Sequence, residues 1–241
     1  MKVILVGYGK MGKEIETILL ERGHEVVAKA DIEHPLTEQM VLQADVAIEF
    51  TTPSSVLAHL ELLSKANIPT VVGTTGWHQH LDKVKDLVQS NNSSLVYASN
   101  FSIGVNLFFQ LNEQLAKLMS PHPEYQPKIT EIHHTQKLDA PSGTAISIAQ
   151  DLLHNHSAYT DWFCPQSEKK SSNQPAIEIE AIREEDVKGT HIVEYTSDID
   201  AISIRHEAFS RKGFALGAVI AAEWIINKKG LFTMKDVLQL S

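Results

Sequence analysis

The chain has 241 residues, 43% of them hydrophobic, so it can bury a core in one large domain or two small ones. This composition argues against a chain that is disordered throughout. The 21 basic and 30 acidic residues give a formal charge of −9, which argues against a broad surface for nucleic acid or for an acidic membrane. We therefore expect no nucleic-acid partner, whereas a local basic pocket for a small acid is compatible with this charge.

Cysteine content and hydropathy bear on the compartment. The single cysteine, Cys164, follows Trp162 and Phe163 and is predicted to be a packing residue. One cysteine cannot form an intramolecular disulfide, which fits a reducing compartment. The first apolar run is too short for a signal peptide, and residues 214–226 contain Glu223 and fall short of the roughly 20 residues that a spanning helix needs. We expect a cytoplasmic protein with no membrane partner.

Short apolar runs alternate with helical patterns over the first hundred residues. This alternation predicts a parallel sheet wrapped by helices, as in Rossmann-like dinucleotide-binding domains. The connection over residues 32–43 is short for a crossover helix. Strands are predicted at 3–6, 25–30, 44–50, 68–73 and 94–99, and helices at 11–22, 54–66 and 77–90.

The pattern changes after about residue 103 and predicts an α+β domain with an open mixed sheet. A long amphipathic helix is predicted over 104–119, with Val105, Phe108, Leu111, Leu115 and Leu118 on its apolar face. We expect one domain to comprise 1–102 and 212–241 and the other 103–211. Further strands are predicted at 177–183, 190–197 and 200–208, helices at 142–154 and 213–228, and a polar loop at 167–175.

A glycine-rich motif follows the first predicted strand. Gly7, Gly9 and Gly12 form G-x-G-x-x-G, and Asp31 ends the second strand at about the 20-residue spacing typical of dinucleotide sites. Glycines let the backbone approach a pyrophosphate, whose charge the helix N-terminus receives. Asp31 can accept hydrogen bonds from ribose hydroxyls, and its charge would oppose a 2′-phosphate. The alternative is a glycine-rich turn without a ligand.

Two more turns lie where a dinucleotide would run. GTTG (73–76) follows the fourth strand and ASNF (98–101) follows the fifth. Ligands of parallel sheets bind at the carboxyl ends of the strands, and small residues there leave room for a nicotinamide and its ribose. Each turn is a weak signal, but with the glycine loop they outline a groove.

The segment EIHHTQKLDAPSGTA (131–145) allows three interpretations. Neighbouring His133 and His134 would point to opposite faces of a strand, and no Cys or HExxH accompanies them, so a metal site is disfavoured. An ordinary polar loop is the second interpretation. The third is a site for a small dicarboxylate, in which the N–H groups of Gly143 and Thr144 at a helix start hold a carboxylate. Lys137 and a histidine would then supply protons.

This segment resembles the signature E-x-H-H-x-x-K-x-D-A-P-S-G-T of the bacterial dihydrodipicolinate reductase family, also called 4-hydroxy-tetrahydrodipicolinate reductases, and every fixed position is present. The resemblance extends over the whole chain. It includes FTTPS (50–54), GTTG (73–76), ASNFSIGVN (98–106) and the stretch from 188 to 218.

The resemblance implies an enzyme of lysine and diaminopimelate synthesis and a role for each residue of the segment. The family transfers a hydride from NADH or NADPH to C4 of a small ring dicarboxylate, with loss of the 4-hydroxyl as water, and works as a homotetramer. By resemblance, His133 is a proton donor or acceptor, Lys137 a proton donor and His134 a substrate contact. Gly143 and Thr144 are the implied carboxylate-binding pair.

The resemblance also implies the cofactor contacts. Many members that use both cofactors carry a basic residue after the acid, where this chain has Ile32, with Lys29 and His34 nearby. This difference favours NADH. The glycine loop is also one residue shorter than in many members. The implied contacts are Gly7, Tyr8, Gly9, Lys10, Met11, Gly12, Asp31, Gly73, Thr74, Thr75, Ala98, Ser99, Asn100 and Phe101.

Two other functions compete with this one. The first is another two-domain dehydrogenase of amino-acid metabolism, of the aspartate or homoserine type, but Cys164 lies in no catalytic motif. The second is a non-catalytic NAD(P) sensor, in which the proton donors would be degraded. His133, His134 and Lys137 are all intact.

Overall fold

The computed structural model describes residues 1–210 and 212–240, which divide into two compact units. The first unit comprises Met1–Ile103 and Lys212–Ser241, and the second Gly104–Arg211. The strands are β1 (Lys2–Val6), β2 (Glu25–Ala30), β3 (Val46–Glu49), β4 (Thr70–Val72), β5 (Ser94–Tyr97), β6 (Gln126–His133), β7 (Asp161–Phe163), β8 (Ala176–Arg183), β9 (Thr190–Thr196), β10 (Ala201–Glu207) and β11 (Gly230–Phe232). The helices are α1 (Lys10–Glu21), α2 (Glu38–Val41), α3 (Val56–Lys65), α4 (Leu81–Ser90), α5 (Ile103–Met119), α6 (Gly143–Asn155), α7 (Lys212–Ile225) and α8 (Met234–Leu238).

The first unit contains a six-stranded sheet in the order β11-β5-β4-β3-β1-β2, in which every pair is parallel. Successive residues of β1 enter opposite faces. Val3 and Leu5 pack in one core cluster with α1 and α7, whereas Ile4 and Val6 pack in another with α2 and α3. A strand that is buried on both faces needs a continuous apolar run, which explains the sequence VILV. The chain reverses direction across the sheet between β1 and β3, the switch point at which such sheets bind ligands.

The second unit contains a five-stranded mixed sheet in the order β10-β9-β6-β8-β7. Strands β6 and β8 are parallel, as are β7 and β8, whereas β9 is antiparallel to both β6 and β10. Residues of α5 and α6 share a core cluster with the sheet. Buried Cys164 belongs to this cluster, which agrees with its predicted packing role. No helix within the described ranges is long and apolar enough to cross a membrane.

The apolar face predicted for α5 is wrong over its second half. Leu111 and Leu118 are 57% and 69% exposed, whereas Asn112 is fully buried. The Nδ2 group of Asn112 donates a hydrogen bond to the carbonyl of Ile148 at 3.0 Å. A polar residue therefore occupies the buried stripe, and this displaced the apparent periodicity by one residue. Strands β6, β7 and β11 and helix α8 were not predicted.

Candidate active site

The glycines of the loop after β1 have different structural roles. A Cβ atom on Gly7, whose φ is +98°, would overlap the carbonyl oxygen of Phe50, and one on Gly12 would overlap the carbonyl of Gly7. Both glycines are required by the fold itself, because Gly7 brings the loop against the turn after β3 and Gly12 lets the first turn of α1 approach Gly7. A Cβ on Gly9 would meet nothing within 4 Å. Gly9 therefore borders open space at the N-terminus of α1, where N–H groups attract anions.

A hydrogen bond and an aromatic contact connect the turns after β3, β4 and β5. The N–H of Thr51 donates to Oγ1 of Thr74 at 2.7 Å, and the rings of Phe50 and Phe101 lie 5.9 Å apart. Thr74 and Phe101 are buried, with 6% and 2% exposure, so their side chains support the turns. Other predicted cofactor contacts at this edge are exposed or half-buried: Thr75 and Ser99 are exposed, and Gly73, Ala98 and Asn100 are half-buried.

Asp31 follows β2 and is held by its own turn. Its Oδ1 atom accepts hydrogen bonds from the N–H groups of Glu33 and His34, at 2.9 and 2.8 Å, and lies 3.3 Å from Nδ1 of His34. The bond from the His34 backbone is the largest cause that lowers the pKa of the Asp31 carboxyl. Ile32 beside it is 97% exposed and supplies no positive charge.

Lys29, the lysine nearest in sequence to Asp31, already forms an ion pair with Glu16. Nζ of Lys29 lies 2.6 Å from a carboxylate oxygen of Glu16 and 4.4 Å from the centre of the Tyr8 ring. Tyr8 in turn donates its hydroxyl hydrogen to Glu16. The hydrogen bond to Glu16 is the main reason that the pKa of Lys29 is raised. Glu16, which lies about one and a half turns into α1, was not among the residues predicted from the sequence.

In the second unit, the segment 131–145 leads from β6 through a loop into α6. Oγ of Ser142 accepts a hydrogen bond from the Ala145 N–H at 3.1 Å and caps the helix. The Gly143 and Thr144 N–H groups that follow the cap have no partner within residues 1–210 and 212–240. A Cβ on Gly143 would meet nothing within 4 Å. The helix start is therefore open to an anion.

Alternation along β6 puts Glu131 and His133 on the buried face, where both join His191 of β9. Oε2 of Glu131 lies 3.4 Å from Nδ1 of His133 and 3.9 Å from Nε2 of His191. Oε1 accepts a hydrogen bond from the Ser142 N–H at 3.0 Å and lies 3.5 Å from Nη2 of Arg183. We call Glu131, His133, His191 and Arg183 the buried ionisable cluster. His134 lies outside this cluster and is half-buried.

Both histidines of this cluster resist protonation. Burial is the largest cause that lowers the pKa of His133, with the charges of Lys137 and Arg183 acting in the same direction and Glu131 opposing them. Burial and the neighbouring His133 lower the pKa of His191 to about 3. The free protein therefore holds neutral imidazoles here at neutral pH.

Lys137 lies in the loop and is paired with Asp139. Its Nζ is 2.8 Å from both carboxylate oxygens of Asp139, and its side chain is 21% exposed. Arg183 fixes the same loop from β8, since Nη2 donates to the Asp139 carbonyl at 2.6 Å and Nε to the Lys137 carbonyl at 3.3 Å. Lys137 thus has a defined position in the loop that leads from β6 to the open helix start.

Glu131, His133 and His191 also form a possible set of metal ligands, because their donor atoms lie within 4.8 Å of one another. This set differs from the pair His133 and His134 that the sequence suggested as metal ligands, because His134 is not a member of it. Arg183 lies against the carboxylate, and the charge of Lys137 acts on both histidines. The positive charges of Arg183 and Lys137 oppose a divalent ion here and favour a proton-carrying role.

Sequence reasoning missed Glu131, Arg183 and His191 as members of the site. The available signal was the period of two along β6, which puts residues 131 and 133 on one face. The remaining contacts come from strand register, since Glu131 is paired with His191 and His133 with Arg183. No local pattern shows which strands are neighbours.

Family models for the N-terminal and C-terminal parts of dihydrodipicolinate reductase match residues 1–101 and 104–238. A 4-hydroxy-tetrahydrodipicolinate reductase from Christiangramia forsetii is 46% identical over 238 residues, which cover 99% of this chain and 98% of that protein. One from Methanosarcina acetivorans is 38% identical over 200 residues, or 82% and 74% of the two chains.

Solved structures show the same relationship. A dipicolinate-bound dihydrodipicolinate reductase from Paenisporosarcina sp. TG-14 matches with a TM-score of 0.77 and 25% identity over 97% of both chains. A probable dehydrogenase from Thermotoga maritima, at 9% identity and a TM-score of 0.58 over 99% of this chain and 89% of that one, shows only the shared fold. These matches confirm the predicted fold class and the predicted enzyme class, an NAD(P)H-dependent oxidoreductase of lysine and diaminopimelate synthesis. The chain belongs to the dihydrodipicolinate reductase family.

Proposed function

We propose that this chain reduces 4-hydroxy-tetrahydrodipicolinate to tetrahydrodipicolinate and water, with His133 and Lys137 moving protons and Gly143 and Thr144 binding a carboxylate. One observation carries these assignments: the segment 131–145 brings an ammonium group, an imidazole and an open helix start into one region of the second unit. The names of the relatives support the substrate.

Substrate binding would begin at the start of α6. A ring dicarboxylate carries two negative charges, and the free N–H groups of Gly143 and Thr144 can receive one carboxylate with the help of the helix dipole. The structure of a relative bound to dipicolinate, itself a ring dicarboxylate, supports this class of ligand. His134, half-buried just after β6, is the proposed further contact.

The reaction consumes one hydride and one proton. The hydride goes to C4 of the ring, the 4-hydroxyl leaves as water, and a proton is taken up from the enzyme. We assign the donation to the Lys137 ammonium, which Asp139 holds in place in the free protein. His133 is neutral in the free protein, and the negative charges of a bound dicarboxylate would favour its protonated form. His133 can therefore take up and return a proton during turnover.

The cofactor would bind along the carboxyl edge of the six-stranded sheet. The proposed contacts are the loop 7–12, Asp31 and the turns after β4 and β5. We propose NADH as the preferred cofactor, for two reasons. The pKa of Asp31 is lowered, so its negative charge opposes a 2′-phosphate, and the charge of Lys29 is paired with Glu16. The homotetramer remains a proposal, which light scattering of the purified protein tests.

The test is the oxidation of reduced nicotinamide. Purified protein is mixed with the freshly made product of pyruvate and aspartate semialdehyde from the upstream synthase, with NADH and NADPH in parallel. We expect oxidation that requires the synthase product and is faster with NADH. Asp31→Ser should move the rate ratio towards NADPH. Oxidation with neither cofactor, from protein that binds NADH, would favour the non-catalytic sensor.

A further inference from the structure

The carboxylate of Glu131 is fully buried and serves two structural elements at once. Its Oε1 atom accepts the hydrogen bond from the Ser142 N–H at the cap of α6 and lies near the guanidinium of Arg183. Its Oε2 atom has no hydrogen bond of regular geometry within the described parts of the chain, and neither has Nδ1 of His133. These two atoms lie 3.4 Å apart, so a small rotation of the imidazole would join them.

The other nitrogen of His133 has a different environment. A Cβ atom on Gly189 would lie 3.1 Å from Nε2 of His133, so the glycine leaves space beside this atom. The ring of His191 approaches edge-on, with centroids 5.2 Å apart and planes at 71°, and Nε2 of His191 lies 3.4 Å from Oγ of Ser142. His133 thus has a carboxylate oxygen 3.4 Å from one nitrogen and a neutral ring against its flank.

We propose that Glu131 and His191 are positioning residues for His133: the Glu131 carboxylate accepts the Nδ1 proton, and Nε2 is left as the atom that exchanges a proton with the substrate. This inference rests on the role proposed above for His133. When Nε2 takes up a proton, the carboxylate stabilises the imidazolium. His191 restricts the ring without competing for that proton.

The same carboxylate links the proton group to the anion site. Because Oε1 holds the Ser142 N–H, a displacement of Glu131 would shift both His133 and the start of α6. Arg183 compensates the buried negative charge, which would otherwise be strongly unfavourable. The Glu131 carboxylate therefore positions both the proposed proton-transfer residue and the proposed carboxylate-binding site.

Glu131→Gln tests the charge with little change in shape. We expect kcat to fall by about 10²-fold, with the pH limb that reports His133 moved to lower pH and with NADH affinity unchanged. Glu131→Asp, which keeps the carboxylate, should recover part of kcat. The groups whose charges act on His133 in this profile are Glu131 from β6, Arg183 from β8, and Lys137 and Asp139 from the loop, and the ring that packs against it is His191 from β9.

The control is Glu180→Gln on β8, where the carboxylate lies 2.9 Å from Nζ of Lys128 and is 36% exposed. This variant should keep the wild-type kcat and pH profile. Wild-type turnover comes first, because its absence would refute the proposed function and not this inference. If the wild type turns over and Glu131→Gln shows an unchanged kcat and pH limb, the positioning role is wrong.

A second measurement decides the matter if Glu131→Gln does not fold. Nitrogen-15 shifts of the histidine rings in the wild-type protein identify which nitrogen of His133 carries the proton, with His133→Gln used to assign the signals. A proton on Nδ1 at neutral pH supports the proposal. A proton on Nε2 overturns it, because the carboxylate would then accept nothing from the ring.

Discussion

Replacing Gly9 by alanine should weaken cofactor binding without weakening the fold. A Cβ at this position meets nothing within 4 Å, and the backbone φ of −86° is accessible to alanine. The poorer N-cap costs roughly 0.5–1 kcal/mol, which the reduced freedom of the unfolded chain largely offsets. Blocking the approach of a pyrophosphate would remove charged hydrogen bonds worth about 1.5–3 kcal/mol, which corresponds to a roughly 10- to 150-fold increase in the Kd for NADH.

Gly7→Ala is the contrasting variant. Alanine at a φ of +98° costs about 1–3 kcal/mol, and displacing the Phe50 carbonyl costs about as much again. The expected loss of Tm is therefore about 5–15 °C, measured by calorimetry, while Gly9→Ala should stay within about 2 °C of wild type. NADH titration by fluorescence completes the comparison. A wild-type Kd for Gly9→Ala would refute the reasoning that the open space beside Gly9 receives the pyrophosphate.

The remaining predictions concern the second unit. Lys137→Ala should lower kcat by about 10²–10⁴-fold. Lys170→Ala, in the exposed polar loop, should leave kcat unchanged. A kcat of Lys137→Ala within a few fold of wild type would contradict the role assigned to Lys137. Gly143→Ala should raise KM for the dicarboxylate at an unchanged Tm, because its Cβ fits the fold but would fill the space beside the helix start. The pKa of His191 is about 3 in the folded protein against an ordinary value of 6.5, so the unfolded chain binds the proton more readily and stability is lost as pH falls below 6.5. In urea unfolding at several pH values, His191→Gln should reduce the pH dependence of the unfolding free energy by up to about 1.4 kcal/mol per pH unit. His154→Gln, at an exposed position of α6, should leave this dependence unchanged. Treatment with a chelator should leave turnover at the wild-type rate, since two cations oppose a metal in the buried ionisable cluster; loss of activity that zinc restores would contradict this.

The first unit was largely predictable because its strands are continuous apolar runs separated by helical patterns. VILV of β1 can be buried on both faces only as a central strand, and the glycine spacing after it restricts the loop. Strand β6 was missed although most of it has a period of two, because its first residues, Gln126 and Pro127, belong to the proline-rich stretch that follows α5. Strand β11 has only three residues, too few for a period to be detected.

The candidate site was predictable where its residues are neighbours in sequence. Lys137, Gly143 and Thr144 fall within one short segment, and the cap at Ser142 has a local signature. The support for His133 was not predictable, because it depends on the pairing of β6 with β8 and β9. Glu131 meets His191 across about sixty residues of chain, and only the register of the sheet brings them together.

The discontinuous first unit has a consequence for synthesis on the ribosome. A Cβ on Gly217 in α7 would overlap the carbonyl of Phe101, so this helix lies directly against the turn after β5, and β11 pairs with β5 itself. Both elements follow the second unit in the chain, α7 at Lys212–Ile225 and β11 at Gly230–Phe232. The second unit, contiguous from Gly104 to Arg211, can be complete while the sheet of the first unit still lacks its sixth strand and one covering helix. Until residues 212–232 have been translated, the nascent chain therefore carries a half-covered parallel sheet with an unpaired edge, which is the kind of surface that aggregates during synthesis.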